Sequence, residues 1–231
     1  MIMNQTRVII FLKAPIRGFV KTRLAQTLGD DAALGLYRAF VRDILEKIQF
    51  LGDVVLYYTP MGHEAALEDL CGRSFMHILQ KGNDLGEKMA RAFENEFNRG
   101  ARNIILMGTD VPDVPEDILK MASQALETHP AVIAPSTDGG YFLIGFTARG
   151  FSRTVFEKIP WSTPAVFGKT LEIMNQNRLA CHVLPSWTDV DTEEDYKALV
   201  QRLRSGRTRA PGTLAWIKTH DNVLPGPVTS Q

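Results

Sequence analysis

The 231-residue chain has little cysteine and no excess of charge of either sign. Its two cysteines, Cys71 and Cys181, lie far apart, and the five histidines form no His-Glu-x-x-His pattern. We therefore expect neither a zinc centre nor a disulfide framework. With 26 basic and 26 acidic residues, the formal net charge is +0. Nucleic-acid and membrane-surface binders usually carry a basic excess, so the sequence predicts neither partner.

Long hydrophobic runs are also missing near the N-terminus. The longest there, Val8 to Leu12, is too short for a signal-peptide core or a membrane span. We therefore expect a cytoplasmic protein with reduced cysteines and no membrane anchor. The hydrophobic content of 45% is nevertheless that of a globular protein with a large buried core.

Two common phosphate-binding patterns are absent as well. A Walker loop needs glycine directly before Lys-Ser/Thr, whereas Val20 precedes Lys21, and no Gly-x-Gly-x-x-Gly fingerprint occurs. The sequence therefore predicts neither a P-loop nor a classical dinucleotide-binding turn.

What the sequence does contain is a regular alternation of strand-like and helix-like segments. Short apolar runs predict strands at Thr6–Leu12, Asp53–Tyr58, Phe75–Leu79, Asn103–Met107, Ala131–Ala134, Tyr141–Phe146 and His182–Leu184. Helical spacing of apolar residues predicts helices at Asp31–Ile48, Glu64–Leu70, Asp84–Asn98, Pro115–Glu127, Ala165–Asn177 and Thr192–Leu203. The alternation predicts an α/β fold with a mostly parallel sheet covered on both faces.

The domain organisation that follows is simple. We expect one domain over residues 1–204, followed by a C-terminal extension over residues 205–231. The extension is enriched in arginine, proline and glycine and has no long periodic segment, so it either lies on the domain or is partly disordered.

Candidate site residues are those that directly follow predicted strands, because ligands of open α/β sheets bind outside the carboxyl ends of the strands. After the first strand, four cations fall within eleven residues: Lys13, Arg17, Lys21 and Arg23. Lysine and arginine neutralise a diphosphate, and Gly18 lets the loop bend close to a ligand. A solvated basic loop is the alternative; the position after a buried strand favours phosphate binding.

Carboxylates follow two later strands. Asp110 comes directly after the apolar strand Asn103–Met107, and Asp189 and Asp191 follow the last predicted strand. Hard cations such as Mg²⁺ or Mn²⁺ take oxygen ligands and bridge to substrate phosphates. We therefore predict Asp110 as a metal ligand, with Asp191 or Asp189 as the second.

The loop Ser136–Tyr141 places Gly139 and Gly140 between two predicted strands. Asp-Gly is a strong hairpin signal, so a plain hairpin turn and a wall of the ligand site both stay open. In the second interpretation, backbone N–H groups or Asp138 contact the ligand.

Several other residues have simpler structural interpretations. Asp84 and Asp113 are expected as helix N-caps, and Thr192 with Asp195 as a capping box. Trp161 is expected to pack in the protein rather than to stack on a base or sugar.

Six motifs in order resemble a bacterial glycosyltransferase-like family, often labelled the arsenosugar-biosynthesis type. They are Lys13–Pro15 with Val20–Leu24, Gly82–Gly86 before Met89, Gly108–Pro112, Asp138–Tyr141, Trp161–Thr163 and Asp189–Thr192. The resemblance runs from about Arg7 to Leu203. That family is similar to phospholactate guanylyltransferases and, more distantly, to molybdopterin guanylyltransferases.

The resemblance implies the GT-A fold, a three-layer αβα sandwich that forms a single nucleotide-binding catalytic domain. It implies a phosphate-facing role for Lys13, Lys21 and Arg23, a metal-binding role for Asp110, and a late metal carboxylate at Asp191 or Asp189. We take Asp110 and Asp138 as catalytic, Asp138 being a base or hydrogen-bond acceptor for the acceptor substrate. The full predicted substrate-binding set is Lys13, Pro15, Lys21, Thr22, Arg23, Gly139, Gly140 and Tyr141.

The function we predict is transfer of a sugar from a nucleotide-diphosphate sugar to a small-molecule acceptor, with Mg²⁺ or Mn²⁺ as cofactor. The alternatives are nucleotidyl transfer, in which a phosphorylated small molecule attacks a nucleoside triphosphate and releases pyrophosphate, and a noncatalytic nucleotide-binding module. The first loop lacks the Leu-Ala-Gly-Gly-x-Gly-x-Arg pattern of sugar nucleotidyltransferases, and the turn after Asp110 lacks the Asp-x-Asp of many glycosyltransferases. Both chemistries therefore stay open, since fold does not fix function.

Overall fold

A computed structural model describes residues 6–220. The strands are β1 Thr6–Lys13, β2 Asp53–Thr59, β3 Met76–Leu79, β4 Asn103–Met107, β5 Ala131–Pro135, β6 Tyr141–Thr147 and β7 Cys181–Val183. The α-helices are α1 Thr22–Leu28, α2 Asp30–Ile48, α3 Glu64–Cys71, α4 Leu85–Asn98, α5 Glu116–Thr128, α6 Val166–Gln176, α7 Glu193–Arg204 and α8 Pro211–Thr219. A short 3-10 helix lies at Arg153–Phe156.

One sheet of seven strands runs in the order β3-β2-β1-β4-β6-β5-β7. Its strand pairs are parallel, except that β6 runs antiparallel to both β4 and β5. The predicted mostly parallel sheet is therefore confirmed. The loops that follow the parallel strands meet at one edge of the sheet, and β6 begins at that same edge.

Alternation along β1 explains why helices cover both faces of the sheet. Val8 and Ile10 pack into a core cluster with residues of α2 and α5, whereas Ile9 packs into a second cluster that contains Phe93 of α4. Successive side chains of a strand point to opposite faces, so an uninterrupted apolar strand needs cover on both. The result is the predicted three-layer αβα sandwich.

The predicted extension contributes a helix within the described residues. In residues 205–220, α8 packs on α2, where the buried Asp43 accepts hydrogen bonds from the backbone N–H groups of Gly212 (2.8 Å) and Thr213 (2.7 Å). Residues 1–5 of the predicted domain and 221–231 of the predicted extension lie outside the described residues. Between residues 6 and 220, no helix is both long and apolar enough to cross a membrane.

Candidate functional site

A cleft of about 830 Å³ opens at the edge of the sheet where the parallel strands end. This volume lies in the range of small-molecule sites. Its walls come from the loops after β1, β4, β5 and β7, from the start of α4 and from the segment before α6. The rule that ligands bind at the carboxyl ends of strands therefore locates the cleft correctly.

Most predicted cations of the first loop line this cleft. Lys13, Lys21, Thr22 and Arg23 are lining residues, and all but Lys21 are exposed. Arg17 is instead paired with Asp31, its Nε lying 2.7 Å from the carboxylate Oδ1. The predicted substrate-binding residue Pro15 is buried and does not line the cleft.

Lys21 is the exceptional cation of the loop. Its backbone is left-handed, with φ 47° and ψ 42°, and it forms the N-cap of α1, a helix that the sequence did not predict. The ammonium donates to the backbone carbonyl of Val190 at 2.7 Å and to Oδ1 of Asp191 at 2.9 Å, and it is also paired with Asp110. Burial opposes its charged form, but the nearby carboxylates of Asp110 and Asp191 outweigh it and raise the pKa of Lys21.

The predicted metal carboxylates come together as expected from their strand-end positions. Asp110, Asp189 and Asp191 all line the cleft, and the backbone N–H of Val190 donates to the carbonyl of Asp110 at 2.9 Å, which ties the two acidic loops together. Burial raises the pKa of Asp189 to about 6, with smaller contributions from the charges of Asp138, Asp191 and Asp110.

The donor set suits a hard cation that is shared with a ligand. One ammonium contacts both Asp110 and Asp191, so the two carboxylates lie within reach of a single positive charge. Across residues 6–220, no three His, Cys, Asp or Glu side chains are arranged around a common metal position. Mg²⁺ is commonly held by one or two carboxylates together with substrate phosphates, so two protein ligands fit it.

The β5–β6 loop is both a hairpin turn and a wall of the cleft. Asp138 and Gly140 line the cleft, and Oδ1 of Asp138 accepts hydrogen bonds from the hydroxyl of Ser136 and from the N–H of Gly140, the latter at 2.9 Å. Gly139 is not a lining residue. It has φ +92°, and a Cβ there would overlap the carbonyl of Pro164. Gly139 therefore lets the β5–β6 loop pack closely against Pro164.

Aromatic packing closes the side of the cleft near α4. Tyr141 and Trp161 both line the cleft and meet edge to face, with ring centroids 6.4 Å apart. The indole also covers Gly86 at the start of α4, where a Cβ would lie 2.7 Å from a ring carbon. Trp161 therefore packs against Tyr141 and Gly86, but it is only half-buried and also faces the cleft, so stacking on a ligand stays open. A Cβ at Gly86 would also lie 2.6 Å from the carbonyl oxygen of Phe156, so glycine is explained there by two close approaches.

Several lining residues were not predicted from the sequence. Thr59, Gln80 and Lys88 line the cleft, and so does Tyr37, whose hydroxyl accepts a hydrogen bond from the N–H of Lys13 (2.9 Å) and donates to its carbonyl (2.8 Å). Burial raises the pKa of Tyr37, so the phenol stays protonated and keeps both bonds. In the sequence Tyr37 belongs to the apolar stripe of α2, and nothing local marks its hydroxyl as part of a site.

The N-cap prediction for Asp113 is wrong. Pro115 occupies the N-cap of α5, while the buried carboxylate of Asp113 accepts hydrogen bonds from three groups distant in sequence. The donors are the guanidinium of Arg202 (2.7 and 3.2 Å), the indole of Trp187 (3.1 Å) and the hydroxyl of Thr208 (2.9 Å). A buried carboxylate needs several hydrogen-bond donors around it, whereas an N-cap side chain accepts only from the first N–H groups of its own helix.

The other caps agree with expectation. Asp84 accepts a hydrogen bond from the N–H of Glu87 at 2.7 Å, and Thr192 with Asp195 forms a capping box at the start of α7. The box begins directly after Asp191, so it also fixes the end of the loop that carries this carboxylate.

Comparison with known proteins places the chain among transferases. Residues 46–163 match the family described as "Uncharacterized protein conserved in bacteria (DUF2064)". A Desulfovibrio desulfuricans G20 protein, provisionally named a nucleotide-diphospho-sugar transferase, superposes with a TM-score of 0.90 and 36% identity over 96% of this chain and 97% of its own. A 2-phospho-L-lactate guanylyltransferase of Methanocaldococcus infernus is 25% identical over 181 residues, 76% of each protein.

More remote structures share the fold. A cytidylyltransferase of Leptospira borgpetersenii serovar Hardjo-bovis covers 98% of this chain and 99% of its own, with 16% identity and a TM-score of 0.54. Together the comparisons confirm the predicted fold of nucleotide-diphospho-sugar transferases, the predicted relation to phospholactate guanylyltransferases and the expectation of a transferase.

Proposed function

Because the chain belongs to the bacterial family DUF2064, we propose that it transfers a sugar from a nucleotide-diphosphate sugar to a small hydroxyl-bearing acceptor, with help from Mg²⁺ or Mn²⁺. One observation carries this proposal. A single cleft at the strand ends combines exposed cations with two carboxylates that approach the same positive charge. Cations suit the phosphates of such a donor, and carboxylates suit the metal that accompanies them.

The donor half of the reaction is assigned to the loops after β1 and β4. Asp110 and Asp191 would hold the metal, which, when bound, neutralises the charge of the departing diphosphate. Lys13 and Arg23 line the cleft with exposed side chains and would donate hydrogen bonds to phosphate oxygens. Because Tyr37 holds both backbone groups of Lys13, the start of this loop is fixed before a ligand binds.

The acceptor half is assigned to the β5–β6 loop. Hydrogen bonds from Ser136 and Gly140 to Asp138 hold its carboxylate in one orientation at the cleft wall. An oriented carboxylate would accept a hydrogen bond from the acceptor hydroxyl and take up its proton as the new glycosidic bond forms.

Nucleotidyl transfer is the second candidate, and the guanylyltransferase relative favours it specifically. In that reaction a phosphate oxygen of the acceptor would attack the α-phosphorus of a nucleoside triphosphate, and pyrophosphate would leave. The same cations and carboxylates would serve, because the charge to be neutralised is again on a diphosphate group.

Ligand-dependent stabilisation followed by product analysis tests both candidates. Nucleoside triphosphates, diphosphates and diphosphate sugars would be compared with and without Mn²⁺, since a ligand at a hundred times its Kd stabilises a protein by about 2.7 kcal/mol. A metal-dependent shift with one diphosphate sugar beyond its bare diphosphate, followed by acceptor-dependent diphosphate release, supports sugar transfer. Pyrophosphate release from a triphosphate supports nucleotidyl transfer. Absence of any metal-dependent shift would contradict both.

A further inference from the structure

The ammonium of Lys21 lies where two carboxylates and a carbonyl converge. Its side chain is only 3% exposed, while those of Asp110 and Asp191 are 48% and 46% exposed. It reaches there from a left-handed backbone, a conformation that is uncommon for residues other than glycine. Strained backbone of this kind persists where the surrounding structure holds it, and it clusters at functional sites.

The pairing is as important for the carboxylates as for the lysine. An ammonium buried in this way is tolerated because opposite charges and hydrogen-bond acceptors surround it. Conversely, without Lys21 the carboxylates of Asp110 and Asp191 would face each other with no cation between them. Like charges at such short range repel, so one positive charge between the two carboxylates stabilises their approach.

The divalent cation of the proposed function requires the same two carboxylates. We propose that Lys21 is a positioning residue whose ammonium is exchanged for this divalent cation when the nucleotide binds. It holds Asp110 and Asp191 together beforehand and leaves them as the metal arrives. This inference rests on the proposed function, because the metal site is taken from it.

The cleft offers the displaced ammonium a place to go. Lys21 is itself a lining residue, next to the exposed lining residues Thr22 and Arg23. Phosphate oxygens of a nucleotide in the cleft would replace the carboxylates as its partners. The metal and the nucleotide then increase each other's affinity for the protein. The nucleotide phosphates draw the ammonium away from the two carboxylates, and the metal releases it to the phosphates. Without nucleotide, the ammonium competes with the metal.

Titration of Mn²⁺ into the full chain without nucleotide tests this competition, with free Mn²⁺ measured by electron paramagnetic resonance. Lys21→Met removes the charge, and Lys21→Gln removes it while retaining a polar N–H donor on a slightly shorter side chain. Both variants should bind Mn²⁺ at least roughly tenfold more tightly than the wild type, because a unit charge beside the carboxylates is gone. Two variants are used so that the test stands if one fails to fold.

A second lysine provides the matched control. Lys88 of α4 lines the same cleft but forms no ion pair with Asp110 or Asp191 within the described chain. Lys88→Met should change Mn²⁺ affinity by no more than about twofold, because solvent and salt screen a more distant charge. A comparable gain in Lys88→Met would assign the effect to general electrostatics and overturn the exchange.

Asp110→Asn and Asp191→Asn distinguish failure of the proposed metal site from failure of the proposed exchange of Lys21 for the metal. If they weaken Mn²⁺ binding while the Lys21 variants bind no more tightly than wild type, the metal site stands and the exchange is wrong. If no protein binds Mn²⁺ even when a nucleoside diphosphate is added, or if the aspartate variants bind it as tightly as the wild type, the metal site of the proposed function is wrong and the exchange falls with it.

Discussion

The carboxylate of Asp113 accepts two hydrogen bonds from the guanidinium of Arg202, at 2.7 and 3.2 Å, and it is completely buried. Asp113 follows Asp110 by three residues, and its further partner Trp187 precedes Asp189 by two. The pair therefore connects α7 with both loops that carry the proposed metal carboxylates. Lys47 reinforces the first loop by donating to the carbonyls of Pro112 and Val114.

Asp113→Ala should destabilise the protein by about 3–5 kcal/mol, because it leaves the guanidinium of Arg202 without its buried partner. Urea unfolding gives the change in free energy. Arg73→Ala is the control, since it breaks the exposed Arg73–Glu68 ion pair, which should contribute at most about 1 kcal/mol. Equal losses of unfolding free energy in the two variants would show that the buried Asp113–Arg202 pair stabilises the protein no more than an exposed ion pair does.

Asp110→Asn should lower turnover at least about a hundredfold, the effect of removing one preorganised electrostatic group from a site, while the fold is retained. Once a donor is known, turnover at saturating Mn²⁺ and circular dichroism measure these two properties. Asp117→Asn on α5 is the control, because Asp117 is a highly exposed carboxylate outside the cleft. Unchanged turnover in Asp110→Asn would remove Asp110 from the proposed metal site.

Gly139→Ala should be more damaging than Gly100→Ala, although the two glycines have nearly the same φ, +92° and +91°. Both variants place a side chain on a left-handed backbone, which destabilises the folded state. Only Gly139 also faces the backbone of Pro164, whereas a Cβ at Gly100 meets no atom within 4 Å. Thermal unfolding should show an additional loss of about 1–3 kcal/mol for Gly139→Ala, the usual cost of overpacking. Equal losses would mean that the Pro164 contact relaxes freely.

Tyr37→Phe should destabilise the protein by about 1–3 kcal/mol, because the N–H and the carbonyl of Lys13 both lose their hydroxyl partner. It should also weaken the binding of nucleotide by freeing the start of the cationic loop. Tyr58→Phe is the control, since the Tyr58 hydroxyl contacts Glu64 and Tyr58 does not line the cleft. Nucleotide affinity that falls equally in both variants would contradict a specific role for Tyr37.

Local sequence patterns were sufficient for most of the fold. The predicted strand Asn103–Met107 coincides with β4, and the predicted helix Asp31–Ile48 differs from α2 by one residue, because long apolar stripes and runs leave little choice. The helix α8 escaped prediction because Asp43, far away in the sequence, satisfies the N–H groups at its start. The helix α1 escaped because it has only seven residues and buries only Leu24 and Leu28, too few for a helical apolar pattern.

The site was predictable to the extent that it follows strand ends. The rule correctly predicts that Lys13, Lys21, Asp110 and Asp191 line one cleft. It could not show that Lys21 is buried between the carboxylates, because this depends on its left-handed backbone and on packing against distant loops. Sequence spacing likewise misplaced Asp113, whose partners lie on α7 and in loops far along the chain.

Cys71 and Cys181 should react slowly with a thiol reagent in the native protein. Burial raises the pKa of each thiol to about 12, so at pH 8 almost no reactive thiolate is present. Unfolding returns both to an ordinary pKa of about 8.5, and their reaction should then be rapid. Ellman's reagent at pH 8, with and without urea, measures the two rates. Cys71→Ser and Cys181→Ser identify which thiol contributes, and rapid native labelling that one variant abolishes would show that this thiol is accessible and ionised.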